Sequence, residues 1–170
     1  MRRNVFWLNY ILLVIVQLLL TNYLRVSPYL MLTILPILVL CIPIRIGTVG
    51  AMLIAAATGI TVDLLSEGVL GMNVLALVPV AFFRNGIIRL VFGTELFARG
   101  EDFSVQRNGF GKTILALFIA HTIFLLVYIW VDAAGMRPFS FNVIRFAVSL
   151  ASGMLVSMLT LGQLAPDPRR

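Results

Sequence analysis

Long apolar stretches separated by short polar connections make up most of this chain. Six of them approach the length of about 20 residues that a helix needs to cross a bilayer core. They cover residues 5–24, 28–44, 46–66, 71–92, 112–131 and 141–164. Pro28 opens the second and shortest stretch, where proline is tolerated in a first helical turn. The pattern predicts an all-α integral membrane protein, with a single six-span domain over residues 1–170.

The third stretch carries small residues at every fourth position, followed by two carboxylates. Positions four apart share one face of a helix. Small residues at this spacing let helices approach closely in lipid. We therefore expect a helix-packing ridge on the third span and expect the other helices to pack around it. The ridge consists of Gly47, Ala51, Ala55 and Gly59, with Asp63 and Glu67 at its end.

Composition and charge support the membrane class. The chain is 61% hydrophobic and 12% charged, which excludes an ordinary soluble domain. With a cytoplasmic N-terminus, the predicted spans put only Arg25, Arg137 and Arg145 of the 13 basic residues on the outer side. Such a bias follows the positive-inside rule. It predicts that both termini are cytoplasmic, and it explains the net charge of +6 without a nucleic-acid partner.

Asp63 and Arg145 are the charged residues expected within spans near the outer face. Asp63 lies roughly 7 Å inside the outer end of a helix that runs to Gly68, at the helical rise of about 1.5 Å per residue. Arg145 begins a ridge that continues with Ser149, Gly153 and Ser157. We predict that the sixth helix crosses the third and that Arg145 pairs with Asp63 or Glu67. Such a pair can fix helix register, or Asp63 can shape an outward pocket or partner surface.

Other polar residues within the spans leave alternatives open. Asn9, Gln17 and Thr21 form a stripe on the first span, suited to interhelical hydrogen bonds or to one wall of a small-solute pocket. Asn73 can start a helix or bond to Asp63 across the turn. His121 is expected to be a hydrogen-bonded histidine of the bundle, with a proton relay as the alternative.

The sequence contains no pattern that indicates catalysis. There is no Ser/His/Asp arrangement, no pair of catalytic carboxylates and no nucleotide motif. One cysteine and no Cys/His cluster exclude an internal disulfide and argue against a metal site. We therefore expect a protein that is not an enzyme and that needs no cofactor. The connection between Gly93 and Gly111 is expected to lie in the membrane interface or to meet a cytoplasmic partner.

One segment resembles a known family. TGITVDLLSEGVLGMNVLAL, residues 58–77, is similar to the central motif of the rod shape-determining protein MreD family. AFFRNGIIRLVF, residues 81–92, is similar to the apolar helix ending in arginine that follows there. Glu67 departs from the pattern, since many relatives have a neutral residue at that position. The matching positions, in order, are Gly59, Asp63, Leu64, Leu65, Ser66, Leu70 and Gly71.

The resemblance implies a non-catalytic component of the bacterial cell-elongation machinery in the inner membrane. It implies binding to MreC, links to MreB, RodA and its partner transpeptidase, contact with membrane lipids, and a fold like the S component of energy-coupling-factor transporters. The alternative is a substrate-binding subunit of a small-molecule transporter. In that case Asp63, Arg145, Asn73 and Gln17 are the polar groups of an outward pocket.

Overall fold

The computed structural model describes residues 2–23, 27–67, 69–93 and 109–164. Most of these residues are helical, and none of them forms a strand. α3 is extended by a π-helical turn over Asp63–Glu67. The helices are α1 (Arg2–Tyr23), α2 (Leu35–Leu40), α3 (Thr48–Val62), α4 (Met72–Phe92), α5 (Phe110–Ala133) and α6 (Phe139–Leu164).

Five of these helices are long and apolar enough to cross a membrane. They correspond to the predicted first, third, fourth, fifth and sixth spans, so the all-α, multi-pass membrane class is confirmed. The predicted connection after Gly93 lies almost entirely outside the described residues. The positions of its charged residues therefore stay predictions.

The prediction of a continuous second spanning helix is wrong. Between Pro28 and Ile44 only the six residues of α2 are helical. Pro36 lies in the first turn of α2, where its missing N–H is not needed. Pro43 lies three residues after the end of α2 and cannot continue a helix. Residues 27–34 are therefore non-helical, and we call residues 27–42 the central segment.

The central segment occupies the middle of the bundle. The five long helices contact one another in a closed ring in the order α1, α3, α4, α5, α6 and back to α1. α2 lies inside this ring against α1, α4, α5 and α6, and all six of its residues are buried. The expectation that the third span forms the centre is thus wrong. That helix has one buried face, while Leu53 on another face is 67% exposed.

The predicted ridge packs α3 against α4, not against α6. Ala51 and Ala55 are fully buried. A Cβ atom added at Gly59 would lie 2.8 Å from the backbone nitrogen of Val74, so only glycine permits this approach. Gly47, in contrast, precedes α3, is exposed, and has no neighbour within 4 Å of a Cβ position. Gly59 therefore serves the α3–α4 contact, and Ala51 and Ala55 on the same face of the helix are buried within the bundle.

Candidate functional site

Gln17 on α1 hydrogen-bonds to the backbone of the central segment. Its Oε1 accepts from the Ile34 amide at 2.8 Å, and its Nε2 donates to the Leu32 carbonyl at 3.2 Å. Non-helical backbone lacks the internal bonds of a helix, and in a membrane protein those bonds must come from elsewhere. The Gln17 side chain is buried and supplies two of them.

Residues on α5 and α6 line the other side of the central segment. Ser149 Oγ accepts a hydrogen bond from the Met31 amide at 3.0 Å. His121 Nε2 lies 3.3 Å from the Thr33 carbonyl oxygen and 3.1 Å from Ser157 Oγ. His121 is therefore a hydrogen-bonded histidine of the bundle, as expected, and its partners include backbone.

Glycine at position 153 lets α6 approach this group. A Cβ atom there would lie 3.1 Å from the His121 ring and 3.3 Å from the Thr33 carbonyl oxygen. The predicted ridge of α6 is thus a packing surface, directed toward the central segment. The described partners of Ser149, Gly153 and Ser157 lie in the central segment and on α5, not on α3.

Arg84 on α4 holds the other end of the central segment. Its guanidinium donates to the carbonyl oxygen of Leu40 at 3.4 Å and to that of Ile42. The last carbonyls of a helix have no partner within it and need external donors. Arg84 is fully buried, and its side chain serves as such a donor group for the end of α2.

Asp63 closes the turn between α3 and α4. Its carboxylate accepts from the Gly71 amide at 2.8 Å, from the Asn73 amide at 3.0 Å and from Asn73 Nδ2 at 2.9 Å. A carboxylate at a helix N-terminus satisfies free amides and complements the helix dipole. Gly71 has φ +100°, a conformation that favours glycine. The bond between Asn73 and Asp63, one of the two alternatives, is confirmed.

Residues around this turn are apolar and exposed. Four of them are between 59% and 66% exposed. We call this set the hairpin tip: Leu64, Leu65, Val69 and Leu70. The motif from Gly59 to Gly71 therefore has an internal part, which includes Asp63, and an exposed apolar part.

Arg145 pairs with Asp132, so the predicted pairing with Asp63 is wrong. Its Nη1 donates to Asp132 Oδ2. Asp63 instead accepts hydrogen bonds from the Gly71 and Asn73 amides and from the Asn73 side chain. The Glu67 side chain lies outside the described residues, so that alternative stays untested.

Arg137 adds a second guanidinium to this ion pair. Its Nη2 lies 4.0 Å from the same Asp132 oxygen, and its Cζ lies 5.0 Å from the centre of the Phe141 ring. One carboxylate therefore faces two cationic side chains at this end of the bundle. We call this end of the bundle the Asp132 end. α1, α3 and α5 end here, and α4 and α6 begin here.

A cavity of about 670 Å³ opens at the Asp132 end. Of the four residues predicted for an outward pocket, only Arg145 lines it. Asp63, Asn73 and Gln17 are not among the lining residues. Gln17 bonds to the backbone of the central segment, and Asp63 accepts hydrogen bonds from the Asn73 side chain and from amides at the start of α4. The cavity wall includes Thr21, Ser27, Met31, Met72, Tyr128, Asp132, Arg137 and Arg145.

Sequence reasoning missed Asp132 and the backbone role of the buried polar residues. The predicted fifth span ends at residue 131 and leaves Asp132 outside, whereas the helix extends through Ala133 and includes it. The signal for the central segment was present in Pro28, Pro36 and Pro43, which together disfavour a continuous helix. Polar side chains on the surrounding helices then hydrogen-bond to the backbone of this segment, and do not only join one helix to another.

Comparison with known proteins identifies no relative of this chain. No protein-family model, curated protein or solved structure matches this chain. The assignment of function therefore depends on the sequence motif and on the geometry described above.

Proposed function

We propose that this chain is a non-catalytic membrane scaffold of the bacterial cell-elongation machinery, acting in lateral peptidoglycan synthesis as a member of the MreD family. In this proposal it lies in the inner membrane with both termini in the cytoplasm, has the S-component-like fold of that family, binds MreC and maintains rod shape. The support comes from the likeness of residues 58–77 to the family motif. A single structural observation carries the argument further: Asp63 holds the exposed hairpin tip in place.

The contacts of Asp63 make the hairpin tip suitable for docking. Three hydrogen bonds from Gly71 and Asn73 fix the turn that follows Leu64 and Leu65. A surface that is ordered before binding loses less conformational entropy when a partner arrives. The motif thus combines a buried carboxylate that orders the turn with apolar side chains that remain available.

In this proposal the apolar span of MreC docks at the hairpin tip. Docking on the small-residue ridge has less support, because Gly59 packs against Val74 of α4 and Ala51 and Ala55 are fully buried. MreB, RodA and its partner transpeptidase join this assembly directly or through MreC. Membrane lipids surround the remaining apolar faces.

The engagement of the buried polar groups supports a non-catalytic role. Gln17, His121 and Arg84 each lie within hydrogen-bonding distance of backbone groups of the central segment. Asp63 is occupied by amides of α4. The transporter alternative has less support, because Gln17, Asp63 and Asn73, three of its four pocket residues, are hydrogen-bonded within the bundle and do not line the cavity.

The proposal is tested by recovery of MreC with tagged variants from native membranes. Leu64→Gln combined with Leu65→Gln places two polar side chains on the hairpin tip and leaves Asp63 intact. Leu155→Gln combined with Leu159→Gln is the matched control, because these leucines are also exposed, at 66% and 82%, but on α6. We expect MreC to be lost from the first variant and kept by the control.

Equal recovery of MreC with both variants, at equal membrane levels, would contradict docking at the hairpin tip. Failure of the unmodified chain to recover MreC would contradict the scaffold function itself. Rod shape provides a second readout, since cells that depend on the first variant are expected to become round.

A further inference from the structure

The cavity at the Asp132 end combines a cationic group with an apolar wall. Arg137 and Arg145 line it together with Asp132, while Leu20 and Met31 contribute apolar surface. Ligand sites in proteins typically enclose about 300–1,000 Å³ and use a few polar groups to orient a largely apolar ligand. At about 670 Å³ the cavity lies within this range.

Among the described residues, the charges on its wall do not balance. Two guanidinium groups approach the same oxygen of Asp132, so one carboxylate faces two positive charges. The Arg145 side chain is only 13% exposed, and its buried Nε has no hydrogen-bond acceptor among the described residues. A poorly solvated cation that lacks full compensation favours an added anion.

The spacing of the two arginines favours an anion with several oxygens. Because both guanidinium groups lie near Asp132 Oδ2, a second oxyanion beside that carboxylate can contact both of them. Guanidinium groups bind phosphate through parallel N–H donors. The apolar residues Leu20, Leu30 and Val69 on the same wall then suit a carbon chain attached to that phosphate.

We propose that this cavity binds a phosphate ester with an apolar substituent, with the phosphate held between Arg137 and Arg145. The source is the headgroup of an anionic phospholipid or a soluble phosphate ester. The site lies at the level of the helix ends, where the headgroups of a bilayer begin. This binding activity goes beyond the scaffold function, and Val69 belongs to both the cavity wall and the hairpin tip.

The lipid source is tested by native mass spectrometry of the full chain, released from nanodiscs that contain phosphatidylglycerol and phosphatidylcholine. The soluble source is tested by titrating glycerol 3-phosphate into the delipidated protein in maltoside detergent and measuring heat. Each measurement uses four variants: Arg137→Gln, Arg145→Gln, Asp132→Asn and Arg89→Gln. The last is a charge-matched control, because Arg89 is exposed near the C-terminal end of α4, far from the cavity.

We expect retention of phosphatidylglycerol over phosphatidylcholine. Arg145→Gln should weaken it about tenfold, as the loss of a charge-assisted hydrogen bond implies. Asp132→Asn should strengthen it, which misfolding would not do, and Arg89→Gln should leave it unchanged. The same order of variants with glycerol 3-phosphate, without lipid preference, would support the soluble source. The proposal is overturned if Arg89→Gln acts as strongly as Arg145→Gln, or if neither probe binds.

Discussion

Gln17 and Ile34 are joined by a hydrogen bond of 2.8 Å in which the side chain accepts from the backbone amide. The same side chain donates to the Leu32 carbonyl, so it bonds to the backbone on both sides of Thr33. A non-helical stretch can therefore occupy the centre of an apolar bundle, because side chains replace the hydrogen bonds that a helix would form internally.

Replacing Gln17 by leucine should destabilise the protein. The substitution leaves the Ile34 amide and the Leu32 carbonyl without these partners, and a buried unsatisfied group costs roughly 1–3 kcal/mol. We expect a lower midpoint of thermal unfolding in detergent. Thr61→Leu is the control, since Thr61 is exposed and bonds to a carbonyl of its own helix. Equal midpoints for the two variants would show that Gln17 is not needed for the central segment.

Gly59→Ala should destabilise the α3–α4 contact. The new Cβ would lie 2.8 Å from the Val74 nitrogen, and overpacking of this kind costs roughly 1–3 kcal/mol. Gly86→Ala is the matched control, because nothing lies within 4 Å of a Cβ there. Alanine in place of glycine inside a helix is neutral or stabilising by about 0.5–1 kcal/mol. A destabilisation by Gly86→Ala as large as that by Gly59→Ala would contradict the close approach.

Asp63→Ala should loosen the first turn of α4. It removes the acceptor for the Gly71 and Asn73 amides, and bonds to a charged group contribute about 1.5–3 kcal/mol. Hydrogen exchange followed by mass spectrometry should show faster exchange across residues 71–76. Asn73→Ala removes one side-chain bond and keeps the two backbone bonds, so we expect a smaller effect from it. The reverse order would refute Asp63 as the main cap.

The central segment should cross the membrane despite its short helix. Near the start of the segment, the Met31 amide donates to Ser149, which lies in the first half of α6. At the end of the segment, the Ile42 carbonyl accepts from Arg84, which lies in the last half of α4. α6 begins at the Asp132 end and α4 ends at the opposite end of the bundle. Tyr23→Cys and Val49→Cys, at exposed positions before and after it, should react with a membrane-impermeant thiol reagent from opposite sides. Cys41 is buried and should react slowly. Labelling of both introduced cysteines from one side would indicate a re-entrant segment instead.

Apolar length was enough to predict the five long helices, because each is a continuous run that a bilayer selects by hydrophobicity. It failed for residues 28–44, where an equally apolar run encloses prolines and depends on distant side chains. A prediction made from each apolar stretch alone cannot identify such partners. Gln17 lies 17 positions from Ile34, and Ser149 lies 118 positions from Met31.

The candidate site was predictable only in part. The burial of Asp63 and its bond to Asn73 follow from their proximity across a short turn. The pairing of Arg145 was predicted wrongly, because depth along a span says nothing about which helices are neighbours. α6 lies beside α5, so Asp132 is within reach and Asp63 is not.

The position of the central segment has a consequence for biogenesis. Its backbone needs hydrogen bonds from Gln17 near the beginning of the chain and from Ser149 near the end. The central segment therefore leaves the ribosome long before Ser149, the acceptor for the Met31 amide, has been synthesised. During that interval the nascent chain must keep the stretch in water, in the translocon or under a chaperone, and a product that stops before α6 should be degraded.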